Sequence, residues 1–287
     1  MYRVIYIMLL MVVATSLSFA QRHTETIEKT LSFASENEQK VVFVENINGT
    51  VEISTSQTED VSLQANLEIT GESESIVVKG KDELKVVSKV LKDTILIYVY
   101  CPAFNYYRHN KEKRYDYNSQ SIDYTFKTHI KLKVPNNILV DASTVNKGDV
   151  VAKNVDAIVK AKNVNGNIYL TKVKEVLKAN TVNGEIKIEC EQAPTSNAQF
   201  KTVNGNIYLN YPKSISANLK FKSFNGKFFT DYEVSKYLPV EVSKSSKDGK
   251  STRYKLEGYT TVQIGKGGPV LDMETLNGDV YVGSKKL

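Results

Sequence analysis

The segment Asn163-Val164-Asn165-Gly166-Asn167-Ile168-Tyr169-Leu170 constrains this chain more than any other, because it recurs. It returns as Thr181-Val182-Asn183-Gly184-Glu185-Ile186-Lys187-Ile188 and as Thr202-Val203-Asn204-Gly205-Asn206-Ile207-Tyr208-Leu209. Looser copies are Ser223-Phe224-Asn225-Gly226-Lys227-Phe228 and Thr275-Leu276-Asn277-Gly278-Asp279-Val280-Tyr281-Val282. Further relatives occur at Asn46-Ile47-Asn48-Gly49-Thr50-Val51 and Thr144-Val145-Asn146-Lys147-Gly148-Asp149-Val150. Counted from the motif Asn, the intervals are 19 (146 to 165), 18 (165 to 183), 21 (183 to 204) and 21 (204 to 225). A fixed period of roughly twenty residues marks an architecture of stacked units, each burying its apolar face on the next.

Period-two alternation assigns faces to the strand before each Asn-Gly. One set reads Val159/Ala161/Asn163/Asn165, Leu177/Ala179/Thr181/Asn183, Phe200/Thr202/Asn204, Leu219/Phe221/Ser223/Asn225 and Leu271/Met273/Thr275/Asn277. It is expected inside. The charged set, with Lys160, Lys162, Lys178, Lys201, Lys220 and Lys222, is expected outside. Asn and Gly then form a corner, since Gly tolerates positive φ and Asn unusual backbone angles. The corner residues are Asn165, Gly166, Asn183, Gly184, Asn204, Gly205, Asn225, Gly226, Asn277 and Gly278. After the corner the inward residues become Ile168/Leu170, Ile186/Ile188, Ile207/Leu209, Phe228 and Val280/Val282. Stacked at the ~4.8 Å strand spacing, the Asn column can form an amide ladder. A right-handed parallel β-solenoid follows. The alternative is an antiparallel β-sandwich of hairpins, because Asn-Gly is also the best two-residue hairpin turn.

The rest of the chain is consistent with β structure. Val, Ile, Thr and Tyr are abundant and Trp is absent. Strands are expected at Val41–Ile47, Val51–Thr55, Val61–Thr70, Ile76–Lys79, Leu84–Val90, Thr94–Tyr100 and Ile122–Val134, with residues 21–40 as a lead-in strand or mobile terminus. Residues 101–121 break the rhythm with interleaved cations and aromatics, among them Tyr106, Tyr107, Arg108 and Tyr115. They read as a long surface loop or protruding hairpin whose deletion over 104–118 would leave the fold intact. Residues 231–262 interrupt the repeat, with Asp248-Gly249 marking a hairpin.

Residues 1–20 have the form of a secretory signal: Arg3, an apolar run from Val4 to Ala14, and Ser18-Phe19-Ala20 before Gln21. The apolar run is shorter than the ~20 residues of a membrane span, and no later segment could span. The chain therefore divides into a leader (1–20), an N-terminal β region (21–134) and the repeat region (135–287), the last two running on as one elongated domain. Export to the periplasm or cell surface permits a disulfide between Cys101 and Cys190, but two cysteines are no framework and Cys190 also suits a small buried residue.

The Val-Asn-Gly-x-Ile-x-Leu copies, the leader and the ending Gly265-Lys266-Gly267-Gly268-Pro269 followed by Thr275-Leu276-Asn277-Gly278-Asp279-Val280 resemble the bacterial putative-adhesin family. The resemblance is strong over 135–287 and recognisable over 41–100. It implies an exported β-solenoid, described as adhesin-like or as an auto-transporter adhesin head domain, with no catalytic motif to transfer.

The residues themselves carry no enzyme signature. The three His (His23, His109, His129) fall apart in the sequence, and no nucleophile elbow, His-Glu-x-x-His, Cys-x-x-Cys or phosphate loop is present. The Gly265–Gly268 run lacks the Asp pattern of a calcium loop and reads as a turn. No metal or cofactor is implied. A net charge of +6 without an Arg-rich block argues against nucleic acid. Two exterior features stand out. One is the column Tyr169, Lys187, Tyr208, Phe229 and Tyr281, which suits stacking on sugars or proteins, or is ordinary strand surface. The other is Val145, Val164, Val182, Val203, Phe224 and Leu276, an outward apolar column that either another segment covers or a partner meets. The adjoining Lys162, Lys178, Lys201 and Lys222 could attract anionic glycans or envelope polymers, or simply protect the surface. The expected function is a non-enzymatic binding surface for glycans or envelope proteins. A polysaccharide-active enzyme or an envelope scaffold are the alternatives.

Overall fold

The computed structural model describes residues 20–34, 39–109, 112–117, 121–239, 242–247, 251–256 and 258–284, so the leader lies outside the described residues apart from Ala20. The N-terminal part contains β1 (Gln21–Leu31), β2 (Val41–Glu45), β3 (Val51–Thr55), β4 (Val61–Gly71), α1 (Glu74–Glu83), β5 (Lys85–Leu91), β6 (Thr94–Tyr100), β7 (Phe104–His109), β8 (Glu112–Tyr117) and β9 (Thr125–Val134). The repeats supply β10 (Leu139–Ser143), β11 (Val150–Lys162), β12 (Ile168–Asn180), β13 (Ile186–Cys190), β14 (Ala198–Lys201), β15 (Ile207–Asn210), β16 (Ala217–Asn225) and β17 (Phe228–Thr230). The chain continues through β18 (Val234–Leu238), β19 (Val242–Lys247), β20 (Ser251–Leu256), β21 (Thr260–Ile264), β22 (Val270–Asn277) and β23 (Val280–Gly283). The protein is all-β apart from α1, and 19 strands join one large mixed sheet.

That sheet contains two runs of parallel pairs, one on each side of the Asn-Gly corners. The entry ladder, before the corner, runs β6, β2, β10, the second half of β11, the end of β12, β14, β22 and β16. The exit ladder, after the corner, runs β9, β3, the first halves of β11 and β12, β13, β15, β23 and β17. Antiparallel strands flank both: β5 on β6, β21 and β18 beyond β16, and β4 and β1 beyond β9. The strands on either side of an Asn-Gly, such as β14 and β15, pair with other layers rather than with each other. Inward residues of both ladders, including Val159, Ala161, Phe200, Ile168, Leu170 and Ile207, form one buried apolar cluster.

The layer order departs from sequence order twice: β2 and β3 lie between β6/β9 and β10/β11, and one Asn-Gly copy is out of turn. The copy at 275–282 does not follow the copy at 223–228 but lies between it and the copy at 202–209: β22 sits between β14 and β16, and β23 between β15 and β17. Side-chain fit explains this. Leu271, Met273, Val280 and Val282 are all buried, as an interior layer requires. In the other copy Phe221 and Phe228 are only half-buried, and Thr230 occupies the place that Val282 holds in the adjacent layer. The less apolar copy takes the outer position.

Three expectations need correction. Residues expected as a strand at Ile76–Lys79 belong to α1, which Ser73 caps by accepting the Ile76 N–H at 3.4 Å. Val77 and Gly80 turn that helix inward, and a Cβ on Gly80 would stand 2.8 Å from Ile69. Leu177 is not the inward residue of its copy: the register shifts, Val159 pairs Val176, and Val176 is buried instead. The protruding hairpin read in segment 101–121 is present as β7 on β8, with residues 110–111 and 118–120 outside the described residues. The motif asparagines Asn165, Asn183, Asn204, Asn225 and Asn277, expected inside, are exposed. The hairpin expected in 231–262 is present as β19 on β20, with Asp248-Gly249 outside the described residues.

Candidate functional site

Each corner is tied to its neighbours by three sets of hydrogen bonds. In the first, Asn165 Nδ2 donates to Asn146 Oδ1, Asn183 to Asn165, Asn204 to Asn183, Asn277 to Asn204 and Asn225 to Asn277, all at 2.7–2.8 Å. The anticipated amide ladder therefore exists, on the outer side of the corner. In the second, the residue two before the motif Asn, buried in all but the half-buried Ser223, reaches a glycine carbonyl of an adjacent layer. Thr144 donates to Gly49 O, Asn163 to Gly148 O, Thr181 to Gly166 O, Thr202 to Gly184 O, Thr275 to Gly205 O and Ser223 to Gly278 O, at 2.7–3.0 Å. These groups satisfy carbonyls that would be costly to bury alone. In the third, side chains directly after the corner Gly accept backbone N–H groups, as Asp149 does from Asn167 and Asp279 from Lys227. Sequence reasoning missed the second and third sets. Their signal was visible as the Thr/Asn/Ser recurring before the Asn-Gly corners and the Asp/Asn/Glu after most of them.

The glycines matter through close approach. A Cβ on Gly166 would lie 2.1 Å from Gly148 O, on Gly184 2.1 Å from Gly166 O, and on Gly205 2.0 Å from Gly184 O. Gly166 and Gly184 do not have positive φ, so contact with the next layer excludes a side chain there. The corners are saturated with internal bonds and present little for a ligand.

The exit ladder's outer face is different. Pairing register orders its aromatic column Tyr169, Lys187, Tyr208, Tyr281, Phe229. The interposed last copy brings Tyr281 between Tyr208 and Phe229, with ring centroids 4.9 Å and 4.8 Å apart and planes within 10°. Lys187 Nζ lies 5.1 Å from the Tyr208 ring centre and 2.8 Å from Glu185, whose carboxylate holds the ammonium above its ordinary pKa. Tyr281 donates to Asp279 at 3.0 Å, which raises its phenol; burial raises that of Tyr169. Tyr169, Thr171, Lys187, Tyr208 and Asn210 line a groove of about 360 Å³. Flat apolar rings edged by amide, hydroxyl and carboxylate groups can stack on a sugar's C–H face while hydrogen-bonding its hydroxyls.

The entry ladder's lysines are less available than expected. Lys201 pairs with Glu274 at 2.7 Å, and Lys222 shares that strand neighbour. Glu274 is held below its ordinary pKa by Lys201 first, and Tyr259 also donates to it at 2.9 Å. Lys220 and Lys222 lie 4.5 and 5.2 Å from the Tyr259 ring centre. Lys178 is pushed below its ordinary pKa by burial and by Lys162. Lys162 alone of the four proposed anion-binding lysines is exposed. Beside them Val164, Val182, Val203, Leu276 and Phe224 are exposed, Phe224 to 77%.

The remaining proposed residues are apart from this face. Tyr106, Tyr107 and Arg108 belong to β7 and Tyr115 to β8, with Tyr106 opposite Tyr115. Cys101 and Cys190 are both free and buried. Burial pushes the Cys190 thiol up to about 12 and raises that of Cys101, which makes both poor nucleophiles. Among the described residues no three His, Cys, Asp or Glu side chains group as metal ligands, and no helix is long and apolar enough to cross a membrane.

No protein-family model matches the chain, and no curated protein matches it. Among solved structures it is similar to one described as "a putative cell adhesion protein" from Clostridium sporogenes, at 10% identity and TM-score 0.43, covering 92% of this chain and 100% of that one. A second, "a putative adhesin" from Bacteroides fragilis, is 9% identical with TM-score 0.31, covering 91% and 97%. A third, a "putative lipid binding protein" from Parabacteroides distasonis, is 12% identical with TM-score 0.26, covering 92% and 95%.

Proposed function

We propose that this chain is a non-enzymatic, adhesin-like binding protein, exported to the bacterial envelope, whose parallel ladders wind as a right-handed solenoid. Its ligand surface is the aromatic column of the exit ladder, and the ligand is a glycan. The observation that carries this reading is the stacked, solvent-facing run Tyr208–Tyr281–Phe229 beside the groove between Tyr169 and Tyr208. Protein domains seldom present ordered aromatic platforms to water without a partner. The hairpin β7–β8 is a second recognition element in this reading.

The test is a glycan panel read for both retention and cleavage. Retention is expected without cleavage products, and Tyr208→Ala should weaken it at least about tenfold, the loss of one stacking contact worth roughly 1.4 kcal/mol. Cleavage products would make the protein a polysaccharide-active enzyme. Failure to retain any glycan, with capture of envelope proteins, would favour a scaffold.

A further inference from the structure

The exit ladder extends beyond the aromatic column into a cationic stretch. Across the register from Tyr169 come Val151 on β11, Glu52 on β3 and Lys131 on β9. Two residues further along the strands lies a second outward row. Thr171 pairs with Lys153, and Ser54 with Lys133, while Lys153 and Ser54 each follow the paired Ala152 and Ile53. Glu28, Glu52, Ser54, Lys131, Lys133 and Lys153 line a concavity of about 700 Å³, which adjoins the aromatic groove through the pairing of Val151 with Tyr169 and Lys153 with Thr171; Glu28 there accepts from Gln64. The three lysines are exposed, and none is in an ion pair among the described residues. The row Lys133–Ser54–Lys153 contains no acid. Its ammonium-bearing strands are two strand spacings apart, roughly 9–10 Å, with the Ser54 hydroxyl between them.

The aromatic half has the opposite balance. Asp149, Glu185, Glu189 and Asp279 all lie beside it, while Lys187 is neutralised by Glu185. An anionic group is repelled there and drawn toward the lysines, so the joined concavities distinguish the two ends of a ligand.

We propose that the two concavities form one extended site for a linear polysaccharide bearing carboxylates. Uncharged ring faces rest on Tyr169 and Tyr208, and a carboxylate sits over Ser54 between Lys133 and Lys153. The polymer axis runs across the strands, along the direction in which the layers stack. This assignment rests on the aromatic column being a glycan-binding face, and it replaces the lysines of the entry ladder, which are largely engaged, as the source of anion preference.

The test uses the full chain with polygalacturonate, alginate and hyaluronate fragments, each beside its carboxyl methyl ester, and dextran sulfate beside dextran. At least one acid is expected to bind more tightly than its ester, with an advantage that shrinks as salt rises. Lys133→Gln with Lys153→Gln should remove that advantage, about a tenfold weakening for the acid, and leave ester binding unchanged. Both lysines are exposed, so thermal unfolding of the double variant should match the parent. Tyr208→Ala should weaken acid and ester alike. Equal binding of acid and ester by the parent, or an acid preference surviving in the double variant, overturns the inference while leaving the aromatic face intact as a glycan site. Retention of dextran sulfate without any carboxylated chain also overturns it. Failure of every polysaccharide to bind defeats the broader reading first.

Discussion

At Gly184 the chain leaves no room for a single added carbon, because the Gly166 carbonyl oxygen lies 2.1 Å from where a Cβ would stand. The obstacle is backbone, so neither a rotamer change nor a side-chain shift relieves it. Gly184→Ala should destabilise the fold by about 3 kcal/mol or more, and Gly184→Val by at least as much, measured as the urea midpoint. A variant that keeps its midpoint and loses only binding would reassign the corner to recognition. Glu274 gives a second residue-level expectation. Its carboxyl is held below the ordinary value, chiefly by Lys201, so it supports the fold at neutral pH, and that support is lost as pH falls through the ordinary range and then the lowered one. Glu274→Gln should flatten this part of the pH–stability curve in urea titrations between neutral and acid pH. Repetition made the corner glycines legible in the sequence. The side taken by the asparagines was not, because strict alternation carried through Asn163 to Asn165 assumes a straight strand, and the chain bends between them.

Among elements, the β7–β8 hairpin and helix α1 were read unequally well. The hairpin interrupted a regular rhythm with polar aromatics, and among the described residues it pairs only with itself apart from the Cys101–Phe104 bridge. Phe104 packs on the core. Removing residues 105–117 and keeping Phe104 should therefore shift the thermal midpoint by no more than a few degrees, the scale of about 1 kcal/mol. A collapse of the midpoint would make the hairpin part of the packing. Helix α1 was hidden because Ile76-Val77-Val78 reads as a β-branched strand, while the helical evidence is a single cap at Ser73 and a glycine packed against Ile69 and Tyr124. Propensity lost to tertiary context there. The aromatic column was legible as residues and illegible as an order, since only the pairing of β23 with both β15 and β17 makes Tyr281 the middle ring.

For the whole molecule, the repeat foretold stacked layers and their polarity, and composition foretold β structure. What it could not give was the sequence of layers, because identical corners fit one another in any order and only inward apolar content selects. The interposed copy makes a clear expectation. Ending the chain at Ile264 removes β22 and β23, which sit between two other layers, and should abolish the cooperative unfolding transition followed by circular dichroism. Consecutive stacking would leave such a truncated chain folded with one layer fewer.

The same interposition governs the order of folding. A regular repeat array can grow layer by layer as its chain emerges. Here the pairing of Phe200 with Met273 joins positions 73 residues apart (273 − 200), and β16 cannot take its final neighbours until the last strands are present. The N-terminal layers can assemble early, but the far end must wait for β22 and β23. A chain lacking residues 270–283 would then hold a finished front and an unfinished back.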